Sequence, residues 1–148
     1  MLALALVGAS MGTAGASARD ARVDKKKVTK VAVVADDQED EGAEDAPGSM
    51  SMIATPATAP AGKVKFKLIN EGSEEHEMVV LKTSTAFDEL AVNAKDKINE
   101  AGALGEIEPI AGGKSKSKTF KLKPGDYVLA CNLSKHYGAG MRAPFTVE

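Results

Sequence analysis

The sequence predicts an all-β fold, an antiparallel Greek-key sandwich of about seven or eight strands carrying one inserted helix. Three observations lead there. Short apolar or alternating segments recur along the chain, separated by Gly, Pro, Asn and Ser turns. One of them, Lys63-Val-Lys-Phe-Lys-Leu68, alternates strictly, with Val64, Phe66 and Leu68 on one face and lysines on the other, as a half-buried strand should. Only one stretch, 86–101, has helical spacing: Phe87, Leu90, Ala91, Ala94 and Ile98 recur at three and four residues before Gly102. At 148 residues there is room for one domain, and a core of that size needs no covalent staples.

In chain order, Met1 to Val7 is apolar, small residues follow, and Ala16-Ser-Ala18 fits a small-x-small cleavage site. Residues 1–18 therefore read as a signal peptide whose basic leading region is missing, too short to span a bilayer as a helix. Residues 19–27 are an N-terminal extension, and 28–148 form the domain. Val28 to Val34 is a Val-rich strand. A loop over 36–49 follows, in which Asp36 to Asp45 holds seven carboxylates in ten positions. That run is first a solvated, self-repelling loop and second a docking surface that steers a basic partner. It lacks the alternation and terminal Glu of a calcium loop.

Ser51-Met-Ile-Ala54 is a short strand. Met50 and Met52 around its start form a Met-x-Met pair, which can hold Cu(I) through soft thioethers but with so few sulfurs is first of all core filling or loop exposure. Asn70 to Glu75 is turn-rich and leads into the apolar strand His76-Glu-Met-Val-Val-Leu81. Ile107 to Ile110 is another strand, Gly112-Gly113 turns the chain, and Lys114, Lys116 and Lys118 mark a solvated strand edge guarded against aggregation. Pro124-Gly125 turns into the strand Tyr127 to Ala130, and Ala143 to Val147 closes the sheet.

The strand Tyr127 to Ala130 delivers Cys131, the only cysteine, to its end. The loop beyond it carries His136 and then Met141, each five residues further on. The other histidine of the two, His76, heads a separate strand. One thiolate, two imidazoles and a weak thioether make the ligand set of a blue-copper electron-transfer centre. Such a set suits neither Cu(I) nor Cu(II) fully, so little has to move when an electron arrives. Gly138 and Gly140 give the loop freedom to fold back. Met78, on the same strand face as His76, is the one rival to Met141 for the thioether position.

Cys131-x4-His136-x4-Met141, entered from Lys123-Pro-Gly-Asp-Tyr127 and followed by a closing strand, resembles the cupredoxin family over roughly Gly62 to Glu148. The four-residue gap between Cys131 and His136 is similar to the rusticyanin and azurin branches, and Tyr137-Gly-Ala-Gly-Met141 to the plastocyanin loop. The resemblance implies one type 1 copper ion held by His76, Cys131, His136 and Met141. Glu77 stands where many members have an Asn that pins the ligand loops, and Ser134-Lys135 replaces a common Pro-Gly, placing a cation near the metal.

The expected function is single-electron transfer between redox proteins by Cu(I)/Cu(II) cycling. The alternative is copper storage or delivery by the same ligands. Donor and acceptor would dock briefly near His136, an exposed port edged by Tyr137, Ala139, Ala143 and Pro144. The expected form is an exported monomer, periplasmic or extracellular, either free or close to a membrane. A net charge of -2 argues against nucleic-acid binding. A cysteine hydrolase would need an orienting third group and an oxyanion hole, neither of which has a motif here. Zinc is a poor match for a thioether ligand. The chain reads as a carrier, not an enzyme.

Overall fold

A computed structural model describes residues 27–37 and 47–148. The leader and nearly all of the extension lie outside the described residues, as do positions 38–46 of the acidic stretch. Among these described residues nine strands and one four-residue helix follow in order: β1 Val28–Asp37, β2 Met50–Thr55, β3 Thr58–Ala59, β4 Gly62–Asn70, β5 His76–Lys82, β6 Ala103–Ile110, β7 Ser115–Leu122, β8 Gly125–Ala130, α1 His136–Ala139 and β9 Arg142–Val147. They form two sheets, ordered β2-β1-β4-β7 and β3-β9-β8-β5-β6.

The sheets face each other across a core built by strand alternation. Val31, Val33 and Ala35 of β1 point inward, as do Val64, Phe66 and Leu68 of β4. Leu129, Phe145 and Val147 meet them from the second sheet. Phe66 packs edge-to-face on Phe120 at 5.9 Å and on Phe145 of the opposite sheet at 5.1 Å. Such pairs add about 0.5–1.5 kcal/mol beyond area burial. At the foot of β8 the Tyr127 hydroxyl donates to the Lys123 carbonyl (2.7 Å) and accepts from the Lys123 N–H (3.1 Å), fixing the turn that aims the strand.

Most strand pairs are antiparallel, but β1 runs parallel to β4 and β3 parallel to β9. After the β1–β2 hairpin, β3 joins the second sheet and β4 returns on the far side of β1. The lysine-rich β7 is an edge strand, as expected. Its Lys116 and Lys118 reach across to β6, bonding Glu108 Oε2 and the Glu106 carbonyl, each at 2.8 Å.

The helix expected over 86–101 does not form. Residues 83–102 instead make an irregular strap, with one isolated bridge between Val92 and Ile98. Asn93 Oδ1 takes the N–H groups of Lys95 and Lys97, and Asp96 is left-handed at φ 54°. Two more backbone donors go to the loop after β8: Leu90 N–H to the Tyr137 hydroxyl (2.9 Å) and Ile98 N–H to Asn132 Oδ1 (2.7 Å). Side-chain acceptors have claimed donors that a helix would need. Phe87, Leu90 and Ile98 still pack inward, on Val128, Ala130 and Tyr137, whereas Ala91 and Ala94 are exposed.

Candidate metal centre

Three inward-facing strand ends converge at one pole of the sandwich. Parity along β1 carries the buried row Val31, Val33, Ala35 on to Asp37, and parity along β4 carries Val64, Phe66, Leu68 on to Asn70. His76 opens β5 opposite them, fully buried. Cys131 follows β8, also fully buried, and its chain turns back at once. The Cys131 N–H donates to the Met141 carbonyl (3.0 Å) and the Met141 N–H to the His136 carbonyl (3.0 Å). Gly140 closes this turn at φ 118°, and a Cβ there would lie 2.4 Å from the Met50 carbonyl oxygen, so only glycine fits. Gly138, by contrast, sits in α1 and meets nothing.

The result brings His76, Cys131 and His136 together, with one ligand atom from each lying within 4.8 Å of the others. The two Nδ1 atoms are 3.3 Å apart, and Cys131 Sγ is 3.5 Å from His136 Nδ1. Donors about 2 Å from one ion in a trigonal plane stand about 3.5 Å apart, so the triangle has the dimensions of a single-metal site. Each imidazole turns its other nitrogen to a carboxylate, His76 Nε2 to Asp37 Oδ1 (3.0 Å) and His136 Nε2 to Glu74 Oε2 (3.3 Å). Metal-ligating histidines are commonly oriented in this way. The donor set of two imidazoles and a soft sulfur fits copper.

Burial pushes the Cys131 thiol up to about 11, against backbone N–H groups of Glu77 and Leu133 that favour the thiolate. Binding a metal therefore requires displacement of that proton. Burial alone would also raise the Asp37 carboxyl, but hydrogen bonds from Ser73, His76 and Glu74 together hold it down at about 2. It is an anion under ordinary conditions. Glu77 is raised, first by burial and then by the nearby Glu106 carboxylate.

Met141 and Met78 are both fully buried in the main core. Met50 and Met52 are also core residues. Glu77 ties the start of β5 to the end of β8: its Oε1 accepts the Asn132 N–H at 3.1 Å, and its own N–H approaches Cys131 Sγ at 3.5 Å. Lys135, at φ 72°, is exposed. Two expectations about the port need correction. The His136 side chain is only 10% exposed, and Glu74 lies on its outer nitrogen. Tyr137, Ala139 and Ala143 are buried and form no surface patch, since the strap packs on Tyr137 and the alanines belong to the main core; of these four only Pro144 is exposed. Asp37 and Glu74 escaped the sequence reading. Period-two parity from Val31 would have found Asp37; Glu74 lies in a loop and carries no such signal.

The fold recurs among solved structures. An auracyanin from Roseiflexus castenholzii, reduced with dithionite, superposes with a TM-score of 0.52 at 22% identity, over 82% of this chain and 96% of that one. Rusticyanin from Thiobacillus ferrooxidans gives 0.57 at 16%, over 81% and 78%. Auracyanin A from Chloroflexus aurantiacus, described as a "blue" copper protein, gives 0.56 at 16%, over 82% and 100%. No curated protein matches the sequence. The family model for the sulfocyanin (SoxE) domain matches residues 38–148. Cupredoxins bind one copper ion, and His76, Cys131 and His136 form its candidate site here. The chain belongs to the sulfocyanin (SoxE) family of cupredoxins.

Proposed function

We propose that the protein is a mononuclear type 1 copper protein that passes single electrons between redox partners. His76, Cys131 and His136 would hold the ion, with Met141 as the weak thioether ligand. Copper bound there supplies one-electron chemistry by cycling between Cu(I) and Cu(II). The observation that carries the reading is the convergence of one sulfur and one nitrogen from each histidine within 4.8 Å.

The residues around the triangle favour an electron carrier over copper delivery. Release would need an opening, whereas His76 and Cys131 are fully buried and His136 is nearly so. The ligand loop is held by Glu77 on one side and by the strap on the other, through Asn132, Ser134 and Tyr137. A ligand frame that cannot relax keeps one geometry in both oxidation states. Partners would dock briefly where His136 comes nearest the surface, beside Glu74. Exposed Glu71 and Glu75, on either side of Glu74 in the chain, favour a basic partner. The protein would act as an exported monomer, periplasmic or extracellular. Among the described residues no helix is long and apolar enough to cross a membrane.

Titrating the metal-free protein with Cu(II) tests the reading. An intense blue or green thiolate-to-copper band at one equivalent, with a reversible one-electron couple, is expected, and Cys131→Ser should abolish the band. A colourless protein that binds only Cu(I) and yields it to a chelator would overturn the electron-transfer assignment in favour of delivery.

A further inference from the structure

We propose that Asp37 is a positioning residue for this centre, holding His76 in the tautomer whose Nδ1 lone pair faces the metal and clamping the loop that covers it. The proposal rests on the copper reading above and adds a residue from the opposite sheet to it.

Asp37 ends β1 in the four-stranded sheet, and His76 opens β5 in the five-stranded one, so their contact spans the sandwich. Four donors converge on its two oxygens. Oδ1 faces His76 Nε2 at 3.0 Å, while Oδ2 accepts the Ser73 hydroxyl (2.7 Å), the Ser73 N–H (3.0 Å) and the Glu74 N–H (3.2 Å). The His76 side chain is fully buried and that of Asp37 is 9% exposed. Room for the carboxylate is reserved by Gly72, where a Cβ would fall 1.3 Å from Asp37 Oδ1. Asn70 shapes the same loop, taking the Gly72 N–H at 3.0 Å and donating to the Glu74 and Ile110 carbonyls at 2.6 and 2.9 Å.

A carboxylate has only acceptors to offer. Neutral His76 must therefore place its proton on Nε2, which leaves Nδ1 unprotonated and turned toward His136 and Cys131. An isosteric amide could not do the same. Asn at position 37 has one acceptor oxygen and one NH2 group for four donors. The three loop donors outbid the single imidazole for the oxygen, so the NH2 faces Nε2 and drives the His76 proton onto Nδ1. That tautomer cannot ligate. The anion also favours the more highly charged Cu(II) over Cu(I), so its loss should raise the potential.

The test is a comparison of wild type with Asp37→Asn and Ser73→Ala. Long-range 15N–1H NMR on the metal-free and Cu(I)-loaded proteins reads the His76 tautomer directly. Wild type should be protonated at Nε2, and Asp37→Asn should shift protonation to Nδ1. Cu(II) affinity, measured by chelator competition, should fall about 10–100-fold in Asp37→Asn, with a higher potential. Ser73→Ala, which loses one loop bond and keeps the Asp37–His76 contact, should retain the tautomer and the affinity. A folded Asp37→Asn with the wild-type tautomer and affinity within twofold would overturn the proposal. Wild-type His76 protonated at Nδ1 in the metal-free protein would overturn it even if Asp37→Asn fails to fold. A wild type that never develops the thiolate-to-copper band would refute the copper reading instead, and the metal-free tautomer would still decide the role of Asp37.

Discussion

Replacing Glu77 separates the hydrogen bond it makes from the charge it carries. Its Oε1 accepts the N–H of Asn132, the residue after the cysteine, in a site where Asn132 is 4% exposed. Glu77→Ala leaves that N–H buried with no acceptor, at a cost of about 1–3 kcal/mol. Losing the buried stem costs about 1 kcal/mol more. Removing a carboxyl group that burial and Glu106 both disfavour as an anion gives part of this back. The net is about 2 kcal/mol, or about 4–8 °C in Tm for a domain of this length. Glu77→Gln keeps an acceptor oxygen at the same place and discards the unwelcome charge, so its stability should stay within about 0.5 kcal/mol of wild type. Urea denaturation of the metal-free proteins, followed by far-UV circular dichroism, reads both. If Glu77→Ala matched wild type, or Glu77→Gln fell as far as Glu77→Ala, the carboxylate would not be acting as a hydrogen-bond pin.

Tyr137→Phe removes the hydroxyl that donates to Phe87 and accepts from Leu90; a loss of about 1–3 kcal/mol and faster amide exchange at Leu90 are expected, and unchanged exchange would mean the strap is held elsewhere. Because burial keeps Cys131 protonated up to about 11, Cu(II) binding at neutral pH should release one proton from the thiol, measurable in weak buffer with an indicator dye; release of none would remove sulfur from the ligand set. The same shift means that metal-free stability falls as pH rises from an ordinary thiol value of 9.0 toward 11, since the unfolded chain loses that proton first. Met141→Leu should keep the colour and move the potential, whereas identical spectrum and potential would assign the thioether role to another residue.

What could be read from the residues alone divides along physical lines. Strand β4 was legible because one of its faces meets water and the other meets Phe145, so charge and apolarity alternate along Lys63 to Leu68. The three residues that converge, His76, Cys131 and His136, are legible because cysteine and histidine are scarce in this chain. Pairing was not legible: nothing along β1 indicates that β4 lies parallel beside it. The apolar spacing of the 83–102 strap is real, yet Asn93, Asn132 and Tyr137 capture the backbone donors that a helix would use. Asp37 was hidden in a run of acids, although its place on the inward face of β1 sets it apart from Asp36. The burial of Tyr137 is not legible for a similar reason, since a loop position does not reveal that a distant strap will cover it.

X-ray absorption at the copper edge of the Cu(II)-loaded protein tests most directly whether one sulfur and two imidazoles from distant stretches hold a single ion. One short copper–sulfur shell and two imidazole shells are expected, with the sulfur shell lost in Cys131→Ser and one imidazole shell lost in His76→Ala. A spectrum with no sulfur shell, or one that His76→Ala leaves unaltered, would contradict the account.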